Sequence, residues 1–118
     1  MAGPPAPIIT LLTDFGTQDT YVAEVKAVLL SAVPAAQLVD ITHDVPPGDV
    51  LAAQYLLGRA WHRFPVHTVH LAVVDPGVGT ARRAIAAGRH GHLFVGPDNG
   101  ILSPVLDGAR VVELAVPP

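Results

Sequence analysis

The sequence predicts an α/β fold in which a mostly parallel sheet is flanked by helices on both sides, a three-layer arrangement. Short apolar runs rich in β-branched residues alternate with segments whose apolar residues repeat at helical spacing. Gly and Pro clusters separate these segments, and the first three strand-like runs each lead into a polar stretch containing aspartate. Strands that alternate with helices pair in parallel through right-handed crossovers.

The first strand and helix follow a Pro-rich start. Residues 1–7 are predicted to form a flexible tail, because prolines and small residues dominate them. The first strand is Ile8–Thr13, a run of β-branched residues and leucine that ends in a polar loop. Residues 21–33 carry apolar side chains at helical spacing, and Pro34 ends this predicted helix.

A second strand and helix repeat the pattern. Gln37–Thr42 is predicted to be a strand that runs into a Pro-Pro-Gly turn. Asp49 is a favourable N-cap for a helix that extends to about Phe64. At helical spacing, the buried face of this helix consists of Val50, Ala53, Leu57, Trp61 and Phe64. We expect the two aromatic residues to pack in the core.

The second half of the chain is predicted to consist mainly of strands. These strands are residues 68–74, 84–87, 93–95 and 110–116. A polar turn at residues 88–91 joins the middle pair, and a Pro-Asp-Asn-Gly segment interrupts the chain at residues 97–100. The sequence contains no internal repeat and no linker, so residues 8–118 are interpreted as one domain.

Composition and charge exclude several classes of protein. Half of the 118 residues are apolar and 14% are charged, which excludes a disordered chain. The net charge is −3 and the cationic residues are scattered, so we expect neither nucleic-acid nor membrane binding. The chain has no cysteine, no apolar run long enough for a bilayer span and no secretory signal at its start. A cytoplasmic protein is therefore expected.

Acidic residues follow several of the predicted strands. Asp14 comes directly after the first strand, the second ends in Asp40-Ile41-Thr42-His43-Asp44, and Asp75 lies just beyond the third. Asp98 and Asn99 follow a later strand. A single aspartate after a strand often only caps a loop. The carboxyl ends of parallel strands share one edge of the sheet, so three converging acids predict a ligand site there.

A glycine-containing segment follows Asp75. Gly77 and Gly79 resemble the start of a dinucleotide-binding fingerprint, but Arg82 occupies the third glycine position and no helix follows, so this interpretation fails. Arg82 and Arg83 would ordinarily be a solvated pair. The bend between them and Asp75 is rich in glycine, which would allow Arg82 to fold back toward the acid.

The histidines give weaker signals. His67 and His70 are predicted to lie on opposite faces of a strand. His90 and His92 flank a turn glycine, and we interpret them as surface residues rather than metal ligands. No metal site is predicted.

Four segments taken together resemble one family. They are Ile9-Thr10-Leu11-Leu12-Thr13-Asp14-Phe15-Gly16 with Asp19 and Tyr21-Val22, Val39-Asp40-Ile41-Thr42-His43 with Pro47 and Asp49-Val50, Val73-Val74-Asp75-Pro76-Gly77-Val78-Gly79-Thr80 with Arg82-Arg83, and Val95-Gly96-Pro97-Asp98-Asn99-Gly100-Ile101-Leu102. In this order they resemble the S-adenosylmethionine hydroxide adenosyltransferases, which hydrolyse S-adenosylmethionine and are related to the fluorinase and chlorinase. The similarity covers nearly the whole chain after the Pro-rich tail.

The resemblance implies roles for individual side chains. It implies that Asp14 holds the ribose hydroxyls of S-adenosylmethionine and that Asp19 lies near the methionine amine. Asp75 and Arg82, together with a histidine, are implied to orient and activate the attacking water. The other substrate-binding residues that it implies are Tyr21, Asp98 and Asn99. S-adenosylmethionine is the implied substrate, and no cofactor is implied.

The implied chemistry is physically consistent. The sulfonium makes the ribose 5′ carbon a good electrophile, and the thioether leaves as a neutral molecule, so no general acid is needed. The water needs a proton acceptor, for which Asp75 is suited if Arg82 keeps it ionised. The halogenating relatives have uncharged side chains around the halide, so this pair favours water as the nucleophile. Gly48, where the fluorinase has a tryptophan, also argues against halogenation.

The carboxyl end of the chain departs from the family pattern. The family's catalytic histidine and its β-rich second domain would lie beyond residue 118. Its active site forms between neighbouring subunits of a trimer, so we expect an incomplete amino-terminal domain whose full-length form is a homotrimer. Three hypotheses follow. They are a hydrolase that releases adenosine and L-methionine, an S-adenosylmethionine-dependent halogenase, and an inert fragment that only binds adenosyl ligands.

Overall fold

A computed structural model describes residues 6–76 and 83–114. Its strands are β1 (Ile8–Thr13), β2 (Gln37–Thr42), β3 (Val69–Val73), β4 (Ala84–Arg89), β5 (His92–Pro97) and β6 (Arg110–Glu113). Its helices are α1 (Tyr21–Ala32), α2 (Val50–Ala60) and α3 (Ser103–Leu106). A 3₁₀ turn, Trp61–Arg63, continues α2. Along the chain, strands and helices alternate as far as β3, as the sequence predicts.

The six strands form one sheet in the order β2-β1-β3-β5-β4-β6. β1 pairs in parallel with β2 and β3, and β3 pairs in parallel with β5. β4 runs antiparallel to β5 and to β6. The predicted α/β class, with a mostly parallel sheet flanked by helices, is confirmed. The crossovers from β1 to β2 and from β2 to β3 run in opposite directions, so their right-handedness places α1 and α2 on opposite faces.

The hydrophobic core lies between the sheet and α2 and α3. It contains the fully buried side chains Ala53 and Leu57 of α2, Ala72 of β3, Phe94 of β5 and Val105 of α3. The other face of the sheet is less completely covered. Helix α1 has no fully buried residue, and Leu93 on β5 stays 40% exposed.

Several element predictions need correction. Helix α2 ends at Ala60 rather than near Phe64, because the chain tightens into the 3₁₀ turn, where the Phe64 N–H donates to the Trp61 carbonyl at 3.2 Å. Helix α3 is absent from the sequence prediction, although Pro104 in its first turn is a recognisable start signal. The last strand is described as far as Glu113, and residues 115–116 of the prediction lie outside the described residues.

The histidine predictions also change. His67 precedes β3 with a φ of 73°, so it does not share a strand with His70. His90 and Gly91 both have positive φ and close the β4–β5 hairpin, as a two-residue turn requires. His90 is exposed, but His92 is buried, so its interpretation as a surface residue is wrong. Within the described ranges, no helix has the length and apolar character needed to cross a membrane.

Candidate active site

The carboxyl ends of β1, β3 and β5 lie side by side at one edge of the sheet. The register pairs Thr13 with Val73, so Asp14 and Asp75 follow neighbouring strand ends. Strand β5 is the next neighbour of β3, and Asp98 follows directly after it. The structure therefore brings the predicted strand-end acids onto one edge, where open α/β sheets bind their ligands.

Asp14 is held by the loop that precedes α2. The Gly48 N–H donates to Oδ2 of Asp14 at 2.7 Å, which uses one of the two carboxylate oxygens. Gly48 has a φ of +73°, and a Cβ added there would lie 3.2 Å from Cβ of Pro76. A side chain at position 48 would therefore be both strained and crowded.

Asp19 and Tyr21 lie at the start of α1, beside an open cleft of about 530 Å³. The cleft is lined by Phe15, Gly16, Thr17, Gln18, Asp19 and Asp44. The Thr20 N–H donates to Oδ1 of the exposed Asp19 at 2.6 Å. Tyr21 contacts Phe15 edge to face, with ring centroids 6.3 Å apart, and does not line the cleft. Asp19 is thus placed to meet a cationic group in the cleft.

Asp75 is half-buried and lies two residues beyond the end of β3. Arg82 lies outside the described residues, so its placement beside Asp75 stays a prediction. Asn99 donates through Nδ2 to the Val74 carbonyl at 2.9 Å, and the Ile101 N–H donates to Oδ1 of Asn99 at 3.0 Å. Both ends of the Asn99 side chain are therefore used to tie the turn after β5 to the residue that precedes Asp75.

Asp98 forms an ion pair at the surface. Its Oδ2 lies 2.9 Å from Nη2 of Arg83, whose Nη1 is 3.8 Å from Oε2 of Glu113. The Arg83 side chain is 62% exposed, so the pair contributes little to stability. Arg83 is solvated as predicted, and it also engages the predicted site residue Asp98.

A partly buried chain of polar side chains lies next to Asp14. His43 is 4% exposed, with Nδ1 2.7 Å from Oγ1 of Thr13 and Nε2 2.8 Å from Oδ1 of Asp40. Nζ of Lys26 lies 2.9 Å from Oδ2 of Asp40. Sequence reasoning missed this chain because its members come from β1, α1, β2 and the following loop. Its only sequence signal is a histidine three residues after Asp40 at the end of a strand.

The charge of Asp40 is stabilised within this chain. Burial raises the pKa of the Asp40 carboxyl, but hydrogen bonds from Lys26 and His43 outweigh burial and leave the pKa below its usual value. An ionised carboxylate can only accept hydrogen bonds. The ionised Asp40 therefore requires a proton on Nε2 of His43.

A second histidine chain lies on the α2 side of the sheet. Nδ1 of His70 is 2.8 Å from Oγ1 of Thr10, and Nε2 is 3.0 Å from Nδ1 of His92. Burial, with a further contribution from His92, lowers the pKa of His70 to about 4. Burial also lowers the pKa of His92, aided by His90 and His67. Among the residues that the structure describes, no group of three His, Cys, Asp or Glu could hold a metal ion.

Residues 9–117 match the model of the SAM hydroxide adenosyltransferase N-terminal domain. The chain belongs to this family. Two curated relatives are named (R)-S-adenosyl-L-methionine hydrolase. The one from Thermus thermophilus is 50% identical over 113 residues, and the one from Salinispora tropica is 49% identical over 114 residues. Each match covers 93% of this chain but only 44% and 43% of the respective relative, so the chain spans less than half of their length.

More distant relatives and a solved structure agree with this assignment. A protein named fluorinase from an Actinoplanes species is 30% identical over 131 residues, which covers 91% of this chain and 44% of the fluorinase. The crystal structure of an uncharacterised conserved protein from Thermotoga maritima superposes with a TM-score of 0.87 at 43% identity. It covers 91% of this chain and 43% of that protein. The family predicted from the four sequence segments is confirmed.

Proposed function

We propose that this chain is the amino-terminal part of an enzyme that hydrolyses S-adenosyl-L-methionine to adenosine and L-methionine. The observation that carries the proposal is the position of Asp75 beyond the carboxyl end of β3, next to β1, whose end Asp14 follows. A carboxylate at that position suits activation of water and would repel a halide. The relatives named as hydrolases are also about 50% identical to the chain, against 30% for the fluorinase.

In the proposed reaction, a water oxygen attacks the ribose 5′ carbon while the bond from that carbon to sulfur breaks. The electron pair leaves with the sulfur of L-methionine, which departs as a neutral thioether. The proton of the water passes to the Asp75 carboxylate and then to solvent. Arg82 would keep Asp75 ionised, and no cofactor takes part.

Substrate binding is proposed to use the rest of the strand edge. Asp14 accepts hydrogen bonds from the two ribose hydroxyls. It uses the carboxylate lone pairs that the Gly48 N–H does not occupy. Asp19 faces the ammonium group of the methionine portion across the cleft. Tyr21, Asp98 and Asn99 complete the substrate-binding set, with Asn99 acting through the turn that it braces.

The other wall of the site is proposed to come from a neighbouring subunit. The chain spans less than half of its curated relatives. We propose that a carboxy-terminal domain of the next subunit in a homotrimer supplies that wall and the histidine that assists Asp75. The 118-residue chain alone should then show little or no turnover.

The test measures the release of adenosine from S-adenosyl-L-methionine by chromatography. The protein is the chain extended at its carboxyl end by the corresponding portion of the Thermus relative. We expect turnover by this protein and a loss of about 100-fold or more in Asp75→Asn, because general-base catalysis contributes roughly 10²–10⁴-fold. Asp107→Asn, an exposed acid outside the strand edge, is the matched control and should retain full activity.

Four outcomes would contradict parts of the proposal. Full activity of Asp75→Asn would exclude its role as the base. Formation of a 5′-halo-adenosine in halide buffer would establish the halogenase alternative, which the fluorinase relative represents. Binding of adenosine without any turnover by the extended protein would favour the inert adenosyl-binding alternative, and rapid turnover by the 118-residue chain would show that the neighbour's wall is dispensable.

A further inference from the structure

We propose that Asp40, His43 and Thr13 form a positioning chain that fixes the Asp14 loop in the geometry needed for the ribose hydroxyls. The inference rests on the proposed function, in which Asp14 binds the ribose. None of the three residues needs to touch the substrate. They act through the backbone on either side of Asp14.

With a neutral His43 ring, the donors and acceptors along the positioning chain match in one direction. Asp40 is ionised and accepts from Lys26 and from Nε2–H of His43. In the neutral ring, Nδ1 of His43 is then an acceptor, so the Thr13 hydroxyl donates to it at 2.7 Å. The Thr13 oxygen keeps its lone pairs for the Phe15 N–H, which lies 3.2 Å away. Each member therefore determines the orientation of the next.

Backbone hydrogen bonds complete the hold on the Asp14 loop. The Gly16 N–H donates to the His43 carbonyl at 2.7 Å, and the Val45 N–H donates to the Thr13 carbonyl at 3.4 Å. Together with the bond between Phe15 and Thr13, these contacts fix the residues immediately before and after Asp14. The Gly48 N–H then orients the carboxylate itself.

Such fixation has a specific energetic effect. Two ribose hydroxyls are recognised well only if the carboxylate already points at them, since ordering a loop on binding reduces affinity. Loss of the positioning chain should therefore weaken the hydrogen bonds between Asp14 and the ribose hydroxyls. Binding of the adenine and of the remaining sugar atoms should change little.

The experiment compares the affinities of adenosine and 2′,3′-dideoxyadenosine by calorimetry, using the extended protein described above. In the parent protein we expect adenosine to bind about tenfold or more tightly, because hydrogen bonds to a charged group are strong. In Thr13→Val the ratio of the adenosine affinity to the dideoxyadenosine affinity should fall about fivefold. The dideoxyadenosine affinity itself should stay within about twofold of that of the parent protein. Thr13→Ser keeps the hydroxyl and should restore the ratio.

Thr10→Val is the matched control. Thr10 lies on the same strand, is equally buried and also contacts Nδ1 of a histidine, at 2.8 Å, but on the opposite face of the sheet. A merely structural loss should affect both variants alike, whereas the proposal predicts a normal ratio in Thr10→Val. If Thr13→Val does not fold, Asp40→Ala provides the same test from a position 42% exposed.

The outcomes separate this proposal from the proposed function. An unchanged ratio in Thr13→Val, or in Asp40→Ala where that variant is used, overturns the positioning chain and leaves the hydrolase standing. A parent protein that does not distinguish the two nucleosides overturns the ribose-binding role of Asp14 and with it the positioning chain. Adenosine release from S-adenosylmethionine then decides independently whether the hydrolase proposal survives.

Discussion

Two threonines of β1 each contact a buried histidine, but the two rings lie in different electrostatic surroundings. His43 bonds to the ionised Asp40, whereas His70 faces a second histidine, His92. Burial beside another histidine opposes the cationic form of His70. The His70 pair therefore makes the core sensitive to acid, and the His43 chain contributes to the proposed ligand site.

His70 should make folding depend on pH between about 4 and 6.5. The folded chain holds the pKa of His70 at about 4, against an ordinary value of 6.5, so only the unfolded chain binds a proton in this window. The free energy of unfolding should therefore be highest above pH 6.5 and fall as the pH drops toward 4. The shifted pKa of His70 accounts for a loss of about 3 kcal/mol at most in the free energy of unfolding between these pH values.

Urea unfolding at pH 7 and pH 5 checks this prediction. The loss of stability at pH 5 should be clearly smaller in His70→Gln than in the parent chain. His62→Gln, at an exposed position, should leave the pH dependence unchanged. Equal pH dependence in the parent chain and His70→Gln would show that this ring does not control acid stability.

Among single residues, the sequence predicted which acids follow the strand ends better than it predicted the residues that contact them. Asp14 and Asp75 could be located because each follows an apolar run, which is a local signal. The bond between Thr13 and His43 could not, because the two residues are thirty positions apart and depend on the pairing of β1 with β2. His92 was misassigned because its burial comes from Trp61 and His70, which only the fold brings near it.

Among the elements, β5 has no room for a side chain at Gly96, which faces the backbone of β3. A Cβ added to this residue would lie 2.7 Å from the Ala72 carbonyl oxygen, which belongs to the backbone and cannot easily move away. Gly96 does not have a positive φ, so space rather than conformation requires glycine here.

Gly96→Ala should therefore destabilise the sheet by about 1–3 kcal/mol, as overpacking of a core usually does. Gly88→Ala, on the neighbouring β4, is the matched control, because no atom lies within 4 Å of an added Cβ. It should be neutral or stabilise the chain by up to about 1 kcal/mol. Thermal unfolding of both variants measures the difference, and similar melting temperatures would show that the backbone relaxes freely at Gly96.

The main elements were predictable because their signals are local. The parallel strands read as short apolar runs, and Asp49 does cap α2 by accepting from the Ala52 N–H at 3.0 Å. Helix α3 was missed because four residues are too few for a helical repeat. The order of β5 and β4 in the sheet also could not be predicted, since a hairpin can join a sheet through either of its strands.

For the whole molecule, the two faces of the sheet are unequally covered by the residues that the structure describes. The register places Val69, Leu71, Leu93, Val95 and Val112 on the same face, opposite the core formed with α2. Leu93 is 40% exposed and Val112 is 49% exposed. Contiguous apolar surface of this kind promotes association.

The 118-residue chain should therefore associate through this face, and Leu93→Glu should reduce the association by placing a charge in it. Sedimentation velocity over a range of concentrations measures the effect. Leu51→Glu is the matched control, since Leu51 is 75% exposed but lies on α2, away from this face. Equal reductions in both variants would mean that net charge, rather than the sheet face, controls association.

Successive side chains of β1 point alternately to the two faces of the sheet. Thr10 contacts His70 on the core side, and Thr13 contacts His43 beside the proposed site, an odd number of residues away. Adding or deleting one residue between the two threonines would place both side chains on the same face, so one of the two contacts would be lost. We expect related sequences to vary in length within the loops around this strand while the number of residues between its two threonines stays constant.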